Sequence, residues 1–212
     1  MSAASGPRPL CAACRRPLSA CLCGWVSPTT HVVEVLVLQH PLEARQAKGS
    51  ARLLQLSLAH CQLVVGEAFA VPVWPVDGKH TLLLYPDSLR DTAPDLRVPP
   101  PLPPGWLQAA PRLRLVVLDG TWRQSRKMLY QSPPLQQLPR LALHNLPPSH
   151  YRIRKAHRAD QMSTLEATCY ALAQLEGGAA RFQPLLNAFD GFVEDLEQAG
   201  RQRNVQIEKS SP

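Results

Sequence analysis

The sequence predicts an α/β protein with a mostly parallel sheet flanked by helices. Three observations lead there. Short apolar segments rich in β-branched residues alternate with segments of helical period along the chain. Two of those segments, LVVLDG and LLLYP, end in polar or conformationally special residues, as strands do where a parallel sheet presents its site. The first thirty residues are short of core-forming side chains and carry a cysteine cluster, so they read as a small zinc-binding knuckle. The expected organisation is a knuckle over 1–30, a catalytic α/β domain over 31–200 and a flexible tail over 201–212.

Taken in order, VVEVLVLQH (32–40) is a buried strand. EARQAKGSARLLQLSLAH (43–60) reads as a helix with Leu53, Leu54 and Leu58 as its contacts. CQLVVGEAF (61–69) and HTLLLYP (80–86) follow as strands, the latter stopped by Pro86. Seven prolines between Ala93 and Pro111 make a semi-rigid surface connector, readable as a functional lid or a passive link. LRLVVLDG (113–120) is the fourth strand and TWRQSRKMLYQS (121–132) the helix behind it; LALHNL (141–146) is the fifth strand. Two helices close the chain. One spans 163–176, with Leu165, Cys169, Leu172 and Leu175 on one face; the other spans about 184–200, with Leu185, Phe189, Phe192, Val193 and Leu196.

Composition bounds the function. At 212 residues one core can bury most apolar side chains, and the 45% hydrophobic content is that of a globular protein. No stretch is long and apolar enough to span a bilayer, and the N-terminus has no secretory h-region, so a cytoplasmic protein is expected, with no membrane partner and no obligate protein partner evident. Lysine and arginine exceed the acids by 23 to 16, a net charge of +7 that fits an anionic partner, most often nucleic acid, or equally a basic soluble protein with no polyanion partner.

Cys11, Cys14, Cys21 and Cys23 fall within thirteen residues as C-x2-C and C-x-C. Four soft thiolates select Zn²⁺, and a closed set of four makes the ion structural. Paired disulfides, or a thiol redox centre built on CLC, are the alternatives, disfavoured in a reducing compartment. Arg15 and Arg16 lie inside the knuckle, held out toward phosphate or merely solvated. Cys61 and Cys169 stand alone and read as small buried apolar residues.

DGTW, residues 119–122, joins a strand to a helix. Gly120 admits a close ligand, Thr121 can cap the helix, and Trp122 can close over a flat ring or a sulfonium, a contact of ~0.5–2 kcal/mol. Asp119 can accept a proton or steer a cation. The same four residues also make an ordinary capped turn with a core tryptophan. In YRIRKAHRADQ (151–161), Arg152, Arg154, Lys155, His157 and Arg158 form either a phosphate-binding strip or a solvated loop. STLE (163–166) has capping-box spacing, which leaves Ser163 and Thr164 open to a ligand role at that helix end. His40 and Glu43, after the first strand, read as a turn and helix start or as polar site residues.

CAACRRPLSACLC, HPLEAR, LYP, DGTW, YRIRK and STLEA, in this order from Cys11 to Ala167, together resemble the DTW-domain proteins. The resemblance implies a tRNA-uridine aminocarboxypropyltransferase, which moves the 3-amino-3-carboxypropyl group of S-adenosylmethionine to N3 of a tRNA uridine and leaves methylthioadenosine. It points to the variable loop as target and implies kinship with the knotted SPOUT-type RNA methyltransferases. By the resemblance Asp119 is the general base. Tyr85, Gly120, Thr121, Trp122, Ser163 and Thr164 surround the cofactor, and Arg152, Arg154 and Lys155 hold the RNA. A methyltransferase using the same donor, and a zinc-knuckle RNA-binding protein without catalysis, are the alternatives.

Overall fold

In the computed structural model of the chain, the described residues are 9–46, 49–87, 98–144 and 162–209. Five strands form one parallel sheet: β1 (Glu34–Gln39), β2 (Cys61–Val65), β3 (His80–Leu84), β4 (Leu113–Asp119) and β5 (Arg140–Leu141), in the order β2-β1-β4-β3-β5. The helices are α1 (Ser50–Ser57), α2 (Trp122–Tyr130), α3 (Pro133–Gln136), α4 (Thr164–Glu176) and α5 (Gln183–Lys209). The α/β class and the parallel sheet are as expected.

Side chains alternate across a strand, and the core follows that alternation. Val35, Val37, Leu113, Leu115 and Val117 point to one face, where Leu53 and Leu54 of α1, Leu165 and Leu172 of α4 and Phe189 of α5 cover them. Leu36, Leu38, Val116 and Leu118 point to the other face, under Met128 and Leu129 of α2 and Leu135 of α3. All seven residues of β4 are buried, as a central strand covered on both faces requires.

Register and parity then set which face each terminal residue joins. Gln39 stands opposite Asp119, and both continue the odd-numbered rows that face α4. Tyr85 continues the row of Leu83 toward α2. The chain leaves β1 toward the β2 edge and leaves β4 toward the β5 edge, so the gap between the carboxyl ends of β1 and β4 is a switch point of the sheet.

The knuckle is joined to this core. Cys14 and Leu22 are buried within the cluster that holds α4 and α5. Trp25 lies against Gly191 of α5, where an added Cβ would come within 2.3 Å of the indole.

Several local expectations are corrected. The helix expected over 43–60 is a single 3-10 turn, Glu43–Arg45, followed after Gly49 by α1 from Ser50. Gly49, with nearby carbonyls at its back, serves as the N-cap and starts the helix late. The fifth strand is two residues long among the described ones, and Asn145 and Leu146 lie outside them. The tail expected from 201 continues α5 to Lys209, because RQRNVQIEK holds neither proline nor glycine to stop it. Cys61 opens β2 and is half-buried, whereas Cys169 is buried.

In the proline-rich connector, residues 98–111 are described. There Trp106 stacks on His80, ring centroids 4.3 Å apart. His80 opens β3, at the sheet end opposite Asp119, so this part of the connector is a brace and not a lid over the strand ends. Among the described residues no helix is long and apolar enough to cross a membrane.

Candidate active site at the carboxyl end of the sheet

Asp119 ends β4 only 6% exposed. Its Oδ2 accepts from Gln39 Nε2 at 2.7 Å, and its Oδ1 accepts from Thr164 Oγ1 at 2.6 Å. The main chain joins the same corner, with His40 N–H donating to Asp119 O at 2.9 Å. One carboxylate thus ties the ends of β1 and β4 to the first turn of α4. Sequence separation hides the arrangement: Gln39 is 80 residues away and Thr164 45.

Gly120 follows. A Cβ there would approach Gln124 Cβ to 3.1 Å, so the turn passes close to the helix it starts. Thr121 caps α2 in a capping box: its Oγ1 accepts from Gln124 N–H, and its own N–H donates to Gln124 Oε1 at 2.6 Å. Trp122 is 49% exposed and stacks on Tyr85, with centroids 5.3 Å apart and planes 15° from parallel. The Arg140 guanidinium lies 5.0 Å from the Tyr85 ring centroid, within cation–π range. Trp122 is therefore an outward ledge, not the core tryptophan of an ordinary turn.

Ser163 caps α4 in a second capping box, accepting from Glu166 N–H at 3.1 Å while Glu166 Oε2 accepts from Ser163 N–H at 2.9 Å. The Ser163 hydroxyl is thus a helix cap, and Thr164, next to it, is the residue that reaches Asp119. Tyr85 and Trp122 stack on the α2 side, where Gly120 and Thr121 make the turn into that helix. Ser163 and Thr164 border the α4 side, with Asp119 between. Arg152, Arg154 and Lys155 lie outside the described residues.

The turn after β1 supplies groups that the sequence left ambiguous. His40 is buried; its Nδ1 accepts from Leu42 N–H at 3.2 Å, and its Nε2 lies 3.5 Å from Glu67, which pairs with Lys127 of α2. Glu43 is half-buried in this turn, and its N–H donates to His40 O at 2.9 Å. Burial first, and then the negative charge of Asp119, raise its carboxyl above the ordinary range, against an opposing pull from His40. The signal available for Gln39 and Glu43 was position alone: both flank the end of a buried strand, where α/β sheets gather polar groups.

In the N-terminal knuckle, the four cysteine Sγ atoms all lie within 4.8 Å of one another. Cys11 and Cys23 are 3.6 Å apart, and Cys14 and Cys21 3.8 Å. A tetrahedral zinc with Zn–S bonds of about 2.3 Å needs sulfurs about 3.8 Å apart, so the donor set fits that ion. Backbone N–H groups of Cys14 and Ala13 hold the Cys11 thiol down at about 6. Of the two knuckle arginines, Arg16 turns inward over the Phe192 ring at 5.3 Å, and Arg15 stays exposed with φ +56°.

A profile of the DTW domain matches residues 8–197, spanning knuckle and α/β core together. The chain is 32% identical over 176 residues to tRNA-uridine aminocarboxypropyltransferase 2 of Drosophila melanogaster, covering 78% of this chain and 66% of that protein. It is 26% identical over 204 residues to the protein of that name in Mus musculus, covering 92% and 66%. With tRNA-uridine aminocarboxypropyltransferase A of Arabidopsis thaliana it shares 28% identity over 142 residues, 59% of this chain and 52% of the other. The chain spans at most 66% of the length of these relatives. No solved structure matches it.

Proposed function

The chain belongs to the DTW-domain family, and from that premise we propose that it is a tRNA-uridine aminocarboxypropyltransferase. Its reaction would join the 3-amino-3-carboxypropyl group of S-adenosylmethionine to N3 of a tRNA uridine, in the variable loop, and release methylthioadenosine. The observation that carries the reading is at the carboxyl end of the sheet, where the buried Asp119 joins β1, β4 and α4, and the turn that follows it carries an exposed Trp122 stacked on Tyr85. The names of the relatives support the chemistry, and the +7 charge supports an RNA substrate.

The donor is a cation with a flat ring system and an amino-acid arm. Trp122, stacked on Tyr85, offers the flat ring an apolar face, and Gly120 leaves room beside it. Thr121, Ser163 and Thr164 border the amino-acid arm at two helix starts, where polar groups meet charge favourably. Asp119 is the catalytic-centre anion. It is the proposed general base for the uridine N3 proton, and its hydrogen bonds from Gln39 and Thr164 fix its position. Every carbon on a sulfonium is activated, so placement within ~3–3.5 Å of the nucleophile selects which one is attacked. Arg152, Arg154 and Lys155 are the proposed RNA contacts. N3 is hidden in a paired uridine, so the target base is extruded or already unpaired. Cys11, Cys14, Cys21 and Cys23 would hold a structural zinc, which fixes the knuckle against α5. The all-parallel sheet with its strand jumps is compatible with a SPOUT-like fold.

The test is incubation with bulk tRNA and S-adenosylmethionine labelled in the aminocarboxypropyl carbons, followed by nucleoside mass analysis. Labelled aminocarboxypropyluridine with stoichiometric methylthioadenosine is expected. Methylated nucleosides with S-adenosylhomocysteine would replace the reading by a methyltransferase. Retention of tRNA with no donor binding would replace it by an RNA-binding protein.

A further inference from the structure

We propose that the outward face of α2 is a track for an unpaired stretch of the RNA substrate beside the target base. Tyr130 is its stacking platform and Arg123 and Arg126 are its backbone contacts; the identity of the RNA rests on the transferase reading above.

α2 is WRQSRKMLY, and its nine residues include three cations and no acid. Ser125, Met128 and Leu129 are buried, which fixes the helix to the sheet by one side. Trp122, Arg123, Arg126, Lys127 and Tyr130 are all exposed. Residues four apart on a helix are neighbours, so Trp122, Arg126 and Tyr130 make one row and Arg123 and Lys127 a second. The first row reads aromatic, cation, aromatic, and the second adds two cations. Lys127 pairs with Glu67, so the charge of the track is assigned to the two arginines.

The exposed rings single this face out. Trp122 is 49% and Tyr130 50% exposed. Every other phenylalanine, tyrosine and tryptophan among the described residues is buried or half-buried. Rings left in water at both ends of one short helix, with guanidiniums between and beside them, match the way proteins hold single strands. Bases stack on the rings and cations follow the phosphates. Bases inside a duplex already cover one another, so a ring of this kind selects an unpaired segment. Tyr130 is also held in place: its carbonyl accepts from Gln136 Nε2 of α3 at 2.8 Å, and the Leu129 carbonyl accepts from the same nitrogen at 3.1 Å. At the near end of the row, Trp122 follows the Asp119 turn and stacks on Tyr85. From Trp122 to Tyr130 is about 12 Å along the helix axis, room for a few unpaired nucleotides. The row therefore starts at the proposed catalytic corner and leads away from it. An RNA whose target base enters that corner would lay its neighbouring nucleotides along α2.

The experiment measures binding of bulk tRNA over a salt series, single-turnover transfer, and calorimetry with S-adenosylmethionine. It compares wild type with Arg123→Gln, Arg126→Gln, Tyr130→Ala and Tyr130→Phe. Tyr130→Ala is expected to weaken tRNA binding about tenfold at unchanged salt slope, since a stack carries no charge. Tyr130→Phe keeps the ring and should stay within about twofold of wild type. Each arginine variant should weaken binding at low salt and lower the slope of log affinity against log salt by about 0.7, the weight of one phosphate contact on a single strand. Donor affinity should hold in all four variants. The arginine variants decide the matter should Tyr130→Ala not fold. Arg123→Gln and Tyr130→Ala that both bind tRNA within about twofold of wild type, at the wild-type slope, would overturn the track. Equal losses in Tyr130→Ala and Tyr130→Phe would overturn the stacking role of Tyr130. A wild type that binds tRNA through these residues yet transfers no aminocarboxypropyl group would uphold the track and overturn the transferase reading alone.

Discussion

Asp119 and Glu43, both near the carboxyl end of the sheet, bear on stability in different ways. Asp119 is held by two donors, and a hydrogen bond to a charged group contributes ~1.5–3 kcal/mol. Asp119→Asn places an amide N–H₂ against Gln39 Nε2 or Thr164 Oγ1, so one acceptor becomes a donor facing a donor. Urea denaturation should show that variant destabilised by about 2 kcal/mol, with most of its transfer activity gone. Glu43 works in the reverse sense. Its carboxyl is raised in the folded protein, so above its ordinary range ionisation there opposes folding, and this cost is absent at low pH where the group is protonated. Removing the charge relieves it. Glu43→Gln should therefore melt at or above the wild-type temperature at pH 7, measured by thermal denaturation. Asp119 was legible in the sequence because it ended an unmistakable strand and preceded a glycine. Gln39 was not, because its importance comes from the Gln39–Asp119 register of a parallel pair, which no local pattern encodes.

Among the elements, α4 and the turn before α1 show what local signals do and do not carry. STLE announced a capping box, and both of its reciprocal hydrogen bonds are present. Ser163→Ala should cost about 1 kcal/mol, the usual loss for a cap, measurable by chemical denaturation. Because Thr164 sits one residue inside that cap and holds Asp119, the variant should also weaken donor binding severalfold, while Glu176, at the far end of the same helix, keeps its bonds to Val32 and Val33 N–H. The strands β1, β3 and β4 were readable because central parallel strands are apolar on both faces. The segment 43–60 was misread for the converse reason. Its helical period is real from Ser50 onward, but Glu43 and His40 are turned by the needs of the β1 end, and Gly49 breaks the run. The indole at Trp122 was read as open to either role, and only the stack on Tyr85 shows it facing outward.

Across the whole molecule, the two ends of the sheet do different work. At the amino end, Arg114 is buried between Glu34 and Asp77, with Lys79 also on Glu34. Burial pushes the Glu34 carboxyl up, but Lys79 and Arg114 outweigh it and hold the group below its ordinary range; the hydrogen bond from Arg114 does the same for Asp77. Depressed acids stabilise the fold above their unfolded values, about pH 4, and lose that contribution as pH falls through the folded ones. Acid unfolding should therefore steepen below about pH 4. Arg114→Met should flatten that part of the curve, followed by circular dichroism, and destabilise the protein at neutral pH. The knuckle gives the last test. Were it an independent appendage, removing its ion would unfold it alone and leave the α/β transition untouched. Instead Cys14 and Leu22 are part of the main core, Arg16 covers Phe192, and Trp25 packs where a Cβ on Gly191 of α5 would stand. Structural zinc sites fold with their metal, so releasing the thiolates should strip that cover from α5 as well. Calorimetry after treatment with a strong chelator is expected to show one transition shifted down, by about 2–4 °C for each kcal/mol lost. Two separated transitions with the upper one unmoved would show the knuckle to be energetically separate. Gly191→Ala, which drives a methyl into the Trp25 indole, should lower the transition in the same direction with zinc still bound, because it breaks the same contact from the opposite side.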